Sequence, residues 1–191
     1  MWDIYSVEGI DLRQGVERYG NEAIYTGILR SWHLHTPALL DKIKRLTPET
    51  LPEYTVTIHG LKGASYGICA DEIGDKAGEL EALAKSGNFA PVEEQNPAFI
   101  EKVELLIRNV GELLQSVAGG KTAGSKAPMP DSALLEKLLD AVKRYKSSIM
   151  EEVMAELETY EYETGGEIVV WLREQIDNLE YETIQNRLES L

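Results

Sequence analysis

Residues 51–65 read Leu51-Pro52-Glu53-Tyr54-Thr55-Val56-Thr57-Ile58-His59-Gly60-Leu61-Lys62-Gly63-Ala64-Ser65. Leu51, Tyr54, Ile58, Leu61, Ser65 and Ile68 recur at steps of three and four, the spacing that puts side chains on one face of an α-helix. Thr50 is the expected N-cap, and Pro52 is tolerated in the first turn. His59 follows Ile58 by one residue and so projects about 100° away from the apolar stripe. Its neighbours on that face are Thr55 and Val56 before it and Lys62 and Gly63 after it.

Gly60, Gly63 and Gly67 each weaken a helix interior by roughly 0.8–1 kcal/mol relative to alanine. They serve either close helix packing or access to His59. Their position off the apolar stripe favours access. Imidazole is a nucleophile in its neutral form near pH 7, and an ammonium group one turn along can offset charge on a transferred group. The histidine and Lys62 therefore suit an imidazole that receives and releases a phosphoryl group, a reaction governed mostly by positioning and charge stabilisation. No GxxxxGK[ST] loop occurs, so autonomous ATP-dependent kinase activity is not expected.

Outward from this helix the pattern stays helical. Asp11 caps a short helix stopped by Gly20. Asn21 caps the next, in which Pro37 either kinks the helix or starts a second segment with Thr36 as its cap. A helix from about Asp71 to Ser86 ends at Gly87-Asn88, and Asn96-Pro97 is read as the start of the last, which reaches about Val117. Four long amphipathic helices with short connections predict an antiparallel four-helix bundle over residues 1–117. Residues 118–130, rich in glycine and small polar residues and ending in Pro128 and Pro130, read as a flexible linker. Residues 131–191 read as a small helical domain of unknown role. Asp131 is its first cap, and Gly165-Gly166 marks a break. No internal repeat is evident.

The run His59-Gly60-Leu61-Lys62-Gly63-Ala64-Ser65, with Ala70, Leu80-Glu81 and Lys85-Ser86-Gly87-Asn88, resembles the histidine-containing phosphotransfer (HPt) domains of bacterial two-component phosphorelays. The likeness runs back through Gly15–Gly20 and Tyr25–Leu29 and forward to about Val117. It implies an all-α, HPt-like bundle whose exposed histidine takes a phosphoryl group from a receiver-domain aspartate and passes it to another receiver. It implies His59 as phosphoacceptor, Lys62 as the stabilising charge and Gly63 as the clearance residue. The helical projection adds a docking face of Val56, Gly60, Gly63 and Gly67. The implied partners are response-regulator receivers and a sensor or hybrid histidine kinase. The chain itself is expected to bind no cofactor, with Mg²⁺ held by the receiver. Such domains often carry glycine ten residues after the histidine. Here Cys69 stands there, with a glycine earlier at Gly67, and an altered turn is expected.

The alternative is an adaptor that binds a receiver or kinase without chemistry. A hydrolytic enzyme has no support, because no nucleophile–base set shares a helical register. His33 and His35 point to different sides of a helix and are read as solvated rather than as metal ligands. Glu72, Asp75 and Glu79 are possible partners for the imidazole, although such acids ordinarily form a solvated face. Trp2, Trp32 and Trp171 are read as core or docking residues, and Tyr160, Tyr162 and Tyr181 as packing the small domain. The net charge of −14 is made of −7 in residues 1–117, +2 from Lys121 and Lys126 in the linker and −9 in residues 131–191. Nucleic acid and anionic lipid are therefore disfavoured. One cysteine excludes an internal disulfide. With no apolar run long enough for a membrane span and no signal-peptide pattern at the start, a monomer in the cytoplasm is expected.

Overall fold

The computed structural model describes residues 6–119 and 125–190; the side chains of residues 118, 119 and 125 are not described. Trp2 and the glycine-rich centre of the expected linker, residues 120–124, lie outside the described residues. The chain is mostly helical and divides into two compact units, residues 1–115 and 116–191.

The first unit contains α1 (Leu12–Tyr19), α2 (Glu22–Ile43), α3 (Leu51–Gly67), α4 (Asp71–Lys85) and most of α5 (Phe89–Gly119). Asp11 caps α1 by accepting from the Gln14 amide, and Asn21 caps α2 by accepting from Ala23. Gly20 closes α1 at φ 72°, and Gly87 follows α4 at φ 75°, conformations that glycine adopts without steric cost. α1 packs on α2, α2 on α3 and α3 on α4. Tyr25, Leu29, Ile43, Ile58, Leu61, Leu80, Phe99, Val103 and Val110 form the buried centre.

Several boundaries differ from the sequence reading. Pro37 neither breaks α2 nor starts a new segment; the helix runs through it. Thr50 occupies the N-cap position, but its hydroxyl turns back to the carbonyls of Arg45 and Thr47 and caps nothing. Asn96-Pro97 is not a start. α5 begins at Phe89 and passes straight through Pro97. The physical reason is Asn96, which is 5% exposed. Its amide donates to the Ile43 carbonyl at 2.9 Å, and its oxygen accepts from the Tyr54 hydroxyl at 3.1 Å. These buried bonds tie the end of α2, the start of α3 and the interior of α5 together, against the bias away from helix that precedes a proline.

The turn after α3 is not disturbed by Cys69. Ala70 N–H donates to Ser65 and Cys69 N–H to Tyr66, the bond pair of a Schellman stop. Cys69 itself takes the left-handed conformation at φ 59°. The residue is 2% exposed, so burial offsets the strain of a non-glycine residue there.

The second unit contains β1 (Ser125–Ala127), α6 (Ser132–Lys143), α7 (Ser147–Leu157), β2 (Tyr160–Tyr162), α8 (Gly166–Asp177) and α9 (Tyr181–Glu189). β1 pairs in parallel with β2, Ser125 opposite Tyr160 and Ala127 opposite Tyr162, so the end of the expected linker is a strand of this unit. Asp131 caps α6 through the Ala133 amide.

The unit is a two-fold repeat that the sequence reading does not detect. α6 and α8 start at Ser132 and Gly166, and α7 and α9 at Ser147 and Tyr181, an offset of 34 residues each time. At the same offset Leu138 matches Leu172, Val142 matches Ile176, Met150 matches Ile184 and Met154 matches Leu188, all buried. Both hairpins turn through a left-handed non-glycine residue, Tyr145 at φ 53° and Leu179 at φ 61°. α6 contacts α7 and α9, and α8 contacts α9 and α7, so the two strand–helix–helix units close on each other around one core. Trp171, Tyr162 and Tyr181 pack against that core, whereas Tyr160 is 39% exposed.

Candidate functional site

α3 and α4 form an antiparallel hairpin about Ala70. Residues equally far on either side of Ala70 meet: Tyr66 lies over Gly74, Lys62 over Gly78, and His59 faces Glu81. Gly74 is required by this packing, since a Cβ there would lie 2.6 Å from the Tyr66 ring. Gly78 would meet Lys62 at 3.5 Å, ordinary contact distance.

The centre of the site is Glu81, whose side chain is 4% exposed. One oxygen accepts from His59 Nδ1 at 2.8 Å and pairs with Lys85 Nζ at 2.5 Å; the other accepts from Lys62 Nζ at 2.6 Å. Lys62 and Lys85 hold the Glu81 carboxyl far below its ordinary range, at about 2, against the opposing effect of its burial; His59 adds to the lowering. Glu81 is therefore ionised at neutral pH and can only accept. The proton on that side belongs to His59 Nδ1, which leaves the Nε2 lone pair as the free nucleophilic position of the neutral ring.

The His59 side chain is 64% exposed. Val56, one turn before it, is 73% exposed. Gly60 and Gly63 are exposed and Gly67 partly so. A Cβ at any of these three glycines would meet nothing within 4 Å, so none is spent on helix packing. Around His59 the surface is thus low in relief, with one exposed valine. Lys62 is 30% and Lys85 61% exposed, both held by the same carboxylate.

Glu81 and Lys85 join His59 and Lys62 here, although the sequence reading assigns them no role. Their signal was present as the mirror register about Ala70, which pairs residue 59 with residue 81. The acids considered instead are engaged elsewhere. Glu72 pairs with Lys102, Asp75 accepts from the Tyr66 hydroxyl at 2.6 Å, and Glu79 pairs with Lys76 at 2.7 Å. His35 donates from Nδ1 to the Ser31 carbonyl at 2.8 Å, and the His33 ring edge lies against Gly111. Among the described residues no group of three or more His, Cys, Asp and Glu side chains could hold a metal ion, and no helix is long and apolar enough to cross a membrane. Comparison with known proteins finds no family, no curated protein and no solved structure that matches the chain.

Proposed function

We propose that this chain is a phosphorelay intermediate of the HPt type, with α2–α5 forming its antiparallel four-helix bundle and His59 as the phosphoacceptor. The observation that carries the reading is an exposed imidazole whose inner nitrogen is held by a buried, ionised carboxylate while its outer nitrogen faces solvent.

The chemistry balances with few groups. Nε2 attacks the phosphorus of an aspartyl phosphate in line. The N–P bond forms as the acyl phosphate P–O bond breaks, and the aspartate leaves as a carboxylate. The ring keeps its Nδ1 proton and gains positive charge, which Glu81 opposes at 2.8 Å. Lys62 supplies a nearby ammonium for the phosphoryl oxygens, and Lys85 adds a second. Reversal of the same step onto another receiver aspartate returns the group. Mg²⁺ belongs to the receiver, which also brings the aspartate. Receivers of a two-component system and a sensor or hybrid histidine kinase are the partners, and Val56, Gly60, Gly63 and Gly67 form the docking face.

The competing reading is an adaptor that docks without transfer. The Glu81 network favours transfer, because docking alone gives no reason to hold a surface imidazole in one tautomer. Incubation with a phosphorylated receiver decides between them. Label appears on the wild type and is absent from His59→Gln if the reading holds. Binding of the receiver with equal label on both proteins, or with none on either, rejects it.

A further inference from the structure

The two halves of the second unit differ at one matched position with large consequences. Arg173 in α8 corresponds to Leu139 in α6 at the 34-residue offset. The Arg173 side chain is only 13% exposed and fills its half of the unit, bonding Glu158 at 2.6 Å and Glu151 at 2.8 Å, with Asp177 at 3.7 Å. In the other half Leu139 is too short to do the same. Beside Leu139 lies a hollow of about 520 Å³, lined also by Leu135, Ile168 and Leu188, with Met129 and Pro130. A second hollow of about 510 Å³ shares Met129, Pro130 and Ser132 with the first, so the two form one bent groove around the N-terminus of α6.

The groove has an apolar floor and an acidic border. Among the described residues, Glu136 and Glu167 line the first hollow with Arg187 as the one basic residue, and Asp131 and Glu156 line the second with none. Residues 131–191 carry six basic and fifteen acidic side chains. Met129 at the border is 64% exposed. Leu139 and Ile168 are only partly covered by their own unit.

We propose that this groove docks a basic amphipathic peptide segment of a partner protein, its apolar side chains lying on Leu135, Leu139 and Ile168 and its lysines or arginines facing Glu136 and Glu167. This role is independent of what His59 does. An anionic membrane or a nucleic acid is repelled by the same charge, and a second copy of the chain brings the same negative sign.

The test uses the full chain and two fluorescent helical peptides, one of leucine and lysine and one of leucine and glutamate. The lysine peptide binds saturably and at least about tenfold more tightly than the glutamate peptide. Glu136→Lys with Glu167→Lys weakens it about tenfold or more, whereas the same charge change at Glu161 and Glu163, which do not line the groove, weakens it less than about threefold. Leu139→Arg, which plugs the groove, abolishes saturable binding. Equal losses from the two charge-reversed pairs mean attraction to overall charge and overturn the proposal. So does unchanged binding by Leu139→Arg, or concentration-dependent self-association that competes with the peptide. If Leu139→Arg fails to fold, as read by circular dichroism, the two surface pairs decide the matter.

Discussion

Glu81 sets the electrostatics of the site from a position with almost no exposure of its own. Its folded pKa of about 2 lies below the ordinary value of 4.5, so its ion pairs stabilise the fold fully above pH 4.5 and are lost as pH falls toward 2. Replacing it with glutamine removes that acid-sensitive contribution while keeping an oxygen for His59 Nδ1–H. Urea unfolding as a function of pH should therefore show a smaller fall in stability between pH 4.5 and 2 for Glu81→Gln than for wild type. An unchanged slope would place the network's charge elsewhere. Glu81→Ala removes the acceptor as well, and the rate of phosphoryl transfer to His59 should drop by one to two orders of magnitude, the usual cost of a misoriented nucleophile. At this scale the sequence is only half legible. His59 and Lys62 stand out because their chemistry is local. Glu81 does not, because its partnership spans 22 residues and depends on where the α3–α4 turn is centred.

Elements show why boundaries were harder to read than faces. The stripe from Tyr54 to Ile68 is buried as its spacing requires, since burial follows periodicity. Asn96-Pro97 carries a local start signal that a tertiary cross-link overrides, so α5 starts earlier, at Phe89. Asn96→Ala leaves the Tyr54 hydroxyl and the Ile43 carbonyl without this partner and should cost about 1–3 kcal/mol in chemical denaturation. A cost near zero would mean that α5 is held in place by its apolar contacts alone. The glycines of α3 and α4 separate into two kinds. Gly60→Ala meets open space and should stabilise the fold by about 0.5–1 kcal/mol. Gly74→Ala drives a methyl group into the Tyr66 ring and should destabilise it by about 1–3 kcal/mol. Thermal melts of the two variants moving in the same direction would contradict that division.

At the scale of the whole molecule, the predominance of helix was legible from periodicity. The repeat in the second unit was not. Its matched core positions exchange Val142 for Ile176, Met150 for Ile184 and Met154 for Leu188, and its surfaces share almost nothing, so only burial and helix register expose the 34-residue offset. Arg173 is the largest departure from the repeat. Burial opposes its charge, and Glu151 and Glu158 more than offset that effect and raise its pKa. Arg173→Met leaves these acids beside one another without the guanidinium and should cost about 3–5 kcal/mol at neutral pH. Chemical denaturation measures the loss, and a cost below about 1 kcal/mol would mean that these ion pairs are not what holds α8 against α7.

The proposed phosphotransfer depends on the outer nitrogen of one imidazole. The most direct measurement is nitrogen-15 NMR of the histidines after incubation with a phosphorylated receiver, in a chain that has only three of them. A phosphoryl group is expected on Nε2 of His59 alone, with Nδ1 still protonated. Phosphorylation at Nδ1, at His33 or His35, or at no histidine while the receiver remains bound would contradict it.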